Sequence, residues 1–202
     1  MGTILNESTE DLITRDESLE KNNKQKEYIN YIKDHVFNVQ RAYANYFLPL
    51  LDKDNITPLL SDELFKNAIR KASLKIEYHD ESKWSDEEFD GYREKYYPTA
   101  SELADEEFQS KVEEKAEKAW ISHYKNNSHH PKFWMKEDGT IEDMDLESII
   151  EMICDWLSFN IKSGNPHGVI QWYEEKATHE KDEMTDRTKQ IVEELLYNVI
   201  FK

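Results

Sequence analysis

Five of the seven histidines in this chain fall in an order that metal chemistry would use. Together with two aspartates the order is His35, the adjacent pair His79 and Asp80, His123, the adjacent pair His129 and His130, and then Asp155. A divalent cation requires neutral imidazole nitrogens and carboxylate oxygens that converge from separate elements. An adjacent His and Asp at one helix end can both reach one ion, or bridge two. A buried Asp80 already asks for a partner, because a carboxylate without a cation or donors is costly away from water. His167 and His179 stand in polar loops and read as structural or surface residues.

The elements that must position these residues read as helices. From about Gln25 to Leu51 an apolar stripe runs through Tyr28, Ile32, Val36, Val39, Tyr43, Phe47 and Leu50 in steps of three and four, the helical period. His35 stands inside that stripe. A break at 52–58 precedes a second helix beginning at Ser61, whose inner face is Leu64, Phe65, Ala68, Ile69, Ala72 and Ile76. Continuing that face reaches His79, so the helix delivers His79 and Asp80 inward from its C-terminal end. Ser85 with Glu88 reads as a capping box opening a short helix to about Tyr96. An acidic helix over 102–125 carries His123. The stretch Asn126 to Pro131 reads as a turn. A helix from about Asp145 to Lys162 turns Leu146, Ile149, Ile150, Ile153, Trp156 and Leu157 inward, with Asp155 at the margin of that face. A final helix spans about 186–200.

Composition supports the same reading. The chain has 202 residues, 38% hydrophobic and 34% charged, with only five Gly and five Pro, which suits helices with solvated outer faces. The expected fold is all-α: one helical bundle over 24–202 preceded by a flexible or weakly helical arm over 1–23. A net charge of −17 repels phosphate backbones and argues against general nucleic-acid binding. A small phosphorylated substrate stays compatible with that charge, because a bound divalent cation reverses the local potential. The single cysteine, Cys154, sits in an apolar run and allows no intramolecular disulfide. The first 28 residues do not resemble a signal peptide, and no apolar run approaches the roughly 20 residues of a membrane span. The expectation is therefore a cytoplasmic protein without membrane contact, with a homodimer left open.

His35, then Tyr78-His79-Asp80-Glu81-Ser82-Lys83, then a distant Asp155, all on helices, resembles the HD-domain superfamily of metal-dependent phosphohydrolases. The hexapeptide is similar to the His-Asp-x-Gly-Lys form of its cyclic-dinucleotide phosphodiesterases and of a di-iron oxygenase branch, with Ser82 in place of the Gly. His129-His130 looks like the paired histidines of the two-metal branches, although Pro131 follows where those branches have Glu. The gap from His123 to His129 is also shorter than theirs. The segments around His79, Ala119–His123, Asn126–Trp134 and Cys154–Trp156 further resemble an uncharacterised family of small bacterial and phage proteins, over roughly residues 25–198.

The resemblance implies an HD-like fold with His35, His79, Asp80, His129 and Asp155 as ligands to Mn, Mg, Fe, Ni or Zn, the number of ions, one or two, staying open. It implies Lys83, Glu81 and His130 as catalytic groups, and His123, Lys83 and Trp134 as substrate contacts. The implied activity is hydrolysis of a phosphate ester in a nucleotide-like or other small phosphorylated molecule. Two other classes stand beside it: a di-iron oxygenase, and a non-catalytic ligand-binding or inhibitory module. Plainer readings also stand. His35 could be a hydrogen-bonded core histidine, Asp155 a carboxylate paired with a lysine, His123 a supporting residue and Lys83 an ordinary surface lysine.

Overall fold

The computed structural model describes residues 9–202, with side chains from Thr14 onward. Among these residues the secondary structure is helical, and the only extended pairing is an isolated bridge between Met135 and Ile141. The helices are α1 (Thr9–Tyr46), α2 (Asp62–Glu77), α3 (Asp86–Tyr96), α4 (Ala100–Ala104), α5 (Glu106–Asn126), α6 (Leu146–Lys162), α7 (Gly168–Glu175), α8 (Thr178–Asp182) and α9 (Asp186–Glu194). Short 3₁₀ turns occupy Leu48–Asp52, Glu81–Trp84 and Pro131–Trp134, and α9 runs into a π-helical turn over Leu195–Ile200.

α1 begins sixteen residues before the start that its apolar stripe suggests. The stretch to residue 23, expected as an arm, is helical from Thr9 onward, and residues 1–8 lie outside the described residues. No Gly or Pro interrupts 9–46, so nothing stops a helix once the apolar half has nucleated it. Pro49 then helps to end it.

The chain divides into two compact units. One comprises the described part of Met1–Ile32 together with Lys83–Ser122. Its interior centres on Tyr28, whose ring lies 5.1 Å from Phe89 and 5.6 Å from Tyr97. α3 and α5 approach closely at Gly91, where a Cβ would come within 2.7 Å of the Ala119 Cβ and 2.9 Å of the Lys115 carbonyl oxygen. Lys115 pairs with Glu94, and Lys95 with Glu113, across the same two helices. Arg93 is wholly buried and donates to Glu102 at 2.6 Å. Ser85 caps α3 by accepting the Glu88 amide. A reciprocal capping box occurs at Thr99 and Glu102, opening α4.

The other unit comprises Lys33–Ser82 and His123–Lys202. Its core joins Val39, Ala42 and Tyr43 of α1, Phe47 just after it, Phe65, Ile69, Ala72 and Ile76 of α2, and Ile149, Ile150, Ile153 and Leu157 of α6. α2 and α6 pack extensively on each other. The Tyr43 hydroxyl donates to the Ile69 carbonyl at 2.6 Å, tying α1 to α2. Leu64, read as an inner position of α2, is exposed. It sits in the first turn beside the Ser61 cap. α6 is buried from Ser148 to Ser158 except at Asp155, which is partly buried. Asp145 caps its start, and Gly164, in the left-handed region at φ +74°, follows its end. No helix of the described residues is long and apolar enough to cross a membrane.

Candidate metal centre

Three elements of the second unit bring His35, His79, Asp80 and Asp155 to one point. His35 comes from the inner stripe of α1 and Asp155 from α6. His79 and Asp80 follow the last turn of α2, where the Glu81 amide donates to the Tyr78 carbonyl at 3.1 Å. Asp80 turns the chain there with φ +60°, a left-handed conformation that Asp tolerates better than most residues. The His35 Nε2 lies 3.2 Å from the His79 Nε2, 3.1 Å from Asp155 Oδ1 and 3.4 Å from Asp80 Oδ2. The His79 Nε2 is 3.5 Å from Asp80 Oδ2 and 3.8 Å from Asp155 Oδ1.

A second group meets the other oxygen of Asp80. α5 ends at Asn126, and the following turn, closed by the His130 amide donating to the Asn127 carbonyl, folds back on it. The His123 ring in the last turn of α5 thereby comes within 6.2 Å of the His129 ring and 4.7 Å of the His130 ring, centre to centre. Asp80 Oδ1 lies 3.3 Å from the His123 Nε2 and 3.6 Å from the His129 Nε2. Ligand atoms of Asp80, His123, His129 and His130 all fall within 4.8 Å of one another, as do those of His35, His79 and Asp80, and those of His79, His129 and Asp155.

These separations suit a coordination shell. Ligands about 2.1 Å from one ion, at angles between tetrahedral and octahedral, stand roughly 3.0–3.4 Å apart. The Nδ1 atoms of His35, His79, His123 and His129 face away from the centre towards other polar groups. Ser158 Oγ is 3.3 Å from that of His35, and Ser82 Oγ and Asn127 Nδ2 are 3.4 and 3.1 Å from that of His123. Glu151 Oε1 lies 2.9 Å from that of His79 and 3.2 Å from that of His129, the latter off the hydrogen-bond direction. Holding one ring nitrogen outward leaves the other to face an ion, the usual arrangement of a metal-ligating imidazole.

With no cation in the centre, its carboxylates draw a proton onto His35. Burial alone would lower His35, but contact with the carboxylates of Asp155 and Asp80 overrides it and raises its pKa to about 9. Burial would raise Asp155 and Glu151. Contact with His35 for the first, and with His129 and His79 for the second, holds both below the usual carboxylate range. His130 is pushed well below the ordinary histidine value by burial and by its neighbours His129 and His123, so it offers a neutral ring. Cys154, buried beside these groups in sequence, has its thiol pushed up by burial and then by Glu151 and Asp155.

Residues 24–198 match the model of DUF5662, described as a family of unknown function. The chain belongs to that family. Neither a curated protein nor a solved structure matches it.

Of the other residues singled out in this DUF5662 chain, Glu81 is exposed at the start of the 3₁₀ turn after Asp80, and Lys83 is partly buried in the same turn but counted in the other compact unit. The Trp134 indole donates to the Ser128 carbonyl at 2.8 Å and its ring packs on the core, so it holds the turn that carries His129 and His130. Sequence reasoning missed Glu151 and Ser158. The available signal was their spacing. Ser148, Glu151, Asp155 and Ser158 follow one another at three- and four-residue steps on an otherwise apolar helix, a polar stripe on one face. Ser148 extends that stripe to Ser128 at 2.8 Å, and Lys75 donates to the same Ser128 hydroxyl at 2.6 Å.

Proposed function

We propose that the chain is a metal-dependent phosphohydrolase of HD-domain type, acting on a nucleotide-like or other small phosphorylated substrate. The observation that carries this reading is Asp80. One of its oxygens faces His35 and His79 and the other faces His123 and His129. A carboxylate shared in this way is the arrangement that two adjacent cations need, and paired cations are a recurrent solution to phosphoryl transfer. His35, His79, Asp80 and Asp155 would hold one, and Asp80, His123, His129 and His130 the other. Cations held there would acidify a bound water and offset charge on the phosphoryl oxygens. The chain's own part is to hold the imidazoles of His35, His79, His123 and His129 with their Nε2 atoms towards Asp80 and to keep Asp155 and Glu151 ionised.

The test is turnover of mono-, di- and cyclic-nucleotide panels by the full chain reconstituted separately with Mn²⁺, Mg²⁺, Fe²⁺, Ni²⁺ and Zn²⁺. Phosphate-ester cleavage that needs the metal and disappears in Asp80→Asn supports the reading. Metal-loaded protein without turnover on any member of the panel overturns it. The donor set favours one second reading, a di-iron oxygenase, because five imidazoles against two carboxylates suit iron better than magnesium. Two irons per chain as isolated, with a mixed-valent EPR signal and no esterase activity, would select it.

A further inference from the structure

Glu151 belongs to neither ligand group, yet it touches both. It is buried at 4% exposure on α6, one helical turn before Asp155. A single oxygen, Oε1, lies 2.9 Å from the Nδ1 of His79 and 3.2 Å from the Nδ1 of His129. Those rings serve different halves of the centre: His79 faces the Asp80 oxygen shared with His35, and His129 faces the one shared with His123. The two rings themselves are 4.5 Å apart, centre to centre. By contrast, Ser158 lies against the Nδ1 of His35, and Ser82 and Asn127 against that of His123.

We infer that Glu151 is a positioning residue that sets the tautomer and orientation of His79 and His129 together, and so ties the affinities of the two cation positions to one another. A carboxylate oxygen has two lone pairs and can accept an N–H from each ring: the His79 bond is formed, and the His129 Nδ1, within 3.2 Å but off the hydrogen-bond direction, makes the second by a turn of its ring. Each ring is then left with an unprotonated Nε2 facing Asp80 and the cation. A negatively charged acceptor also makes each imidazole a stronger donor to a metal, an effect typically worth 10–100-fold in affinity. Because the same oxygen serves both rings, its loss is felt at both positions. The inference rests on the two-cation reading above.

Two measurements on the full chain test it. The first is Mn²⁺ titration of the wild type, Glu151→Gln and Ser158→Ala. Glu151→Gln is expected to take up as many ions as the wild type with both dissociation constants raised about 10–100-fold. Ser158→Ala is expected to raise only one of them. A Glu151→Gln protein in which one constant or neither changes overturns the inference. So does outright loss of an ion, which would make Glu151 a ligand.

The second needs no variant and no metal. Long-range ¹H–¹⁵N spectra of histidine-labelled wild type are expected to show both His79 and His129 protonated at Nδ1. An unprotonated Nδ1 on either ring overturns the assignment. If the wild type takes up no Mn²⁺, the two-cation reading falls on its own, and these spectra still decide what Glu151 does.

Discussion

Replacing Asp80 by Asn, Gly and Ala separates two things this residue does. The backbone at Asp80 has φ +60°, where a Cβ crowds the following carbonyl at a cost of about 1–2 kcal/mol. Gly escapes that cost, Asn tolerates the conformation as Asp does, and Ala bears it in full. Gly and Ala both lack the side-chain oxygens, so their difference isolates the backbone. Part of the gain is returned through the greater freedom of Gly in the unfolded chain, about 0.5–1 kcal/mol. In chelator, the Ala variant should therefore be the less stable by about 0.75 kcal/mol, within a range of about 0–1.5 kcal/mol. For a chain of this size the central value is roughly 1.5–3 °C in melting temperature. Calorimetry of the three variants without metal reads it. Metal uptake is the second half of the experiment. All three remove the charge offered to both cation positions, so all three should lose both ions, Asn included. An Ala variant more stable than the Gly variant would refute the left-handed turn, and an Asn variant that still takes two ions would refute the shared carboxylate.

Much of the first half of this centre was legible in the sequence, for a physical reason. His35 and His79 continue apolar stripes, and a stripe position on a buried helix face has only one direction to point. Asp155 sits next to such a face and was found the same way. The second half was harder to read. The six-residue step from His123 to His129 is shorter than the two-metal HD branches have between corresponding ligands, but chain separation stops measuring distance where a helix ends. The turn after Asn126 folds His129 and His130 back beside His123. Glu151 was missed because α6 is buried on nearly every side, and periodicity cannot say which side of such a helix meets the histidines. The early start of α1 was missed because a polar helix leaves no stripe. Its residues lack any breaker, which permits a helix without announcing one.

Other outcomes follow from the same contacts. Gly91→Ala should destabilise by about 1–3 kcal/mol despite the better helix propensity of Ala, since its methyl would overlap Ala119 and the Lys115 carbonyl. A lowered urea midpoint in the metal-free protein checks it. Tyr43→Phe should cost about 0.5–1.5 kcal/mol by removing the hydroxyl donated to the Ile69 carbonyl, again read from the urea midpoint. Glu102 gives a pH signature. Burial opposes its ionisation, but Arg93 and the Thr99 amide hold its carboxyl below its usual 4.5. Its stabilisation should be complete above the unfolded value and disappear as pH falls through the folded one. The wild type should accordingly lose more stability than Glu102→Gln on acidification. Equal losses would mean that the pairing with Arg93 does not distinguish the ionised form.

The proposed two-cation centre is tested most directly by anomalous diffraction from crystals of the full chain grown with Mn²⁺, with elemental analysis of the same preparation. The account predicts two ions per chain: one among His35, His79 and Asp155, one among His123, His129 and His130, with Asp80 contacting each through a different oxygen. A metal-free map, or a single ion with Asp80 turned away from either histidine group, would contradict it.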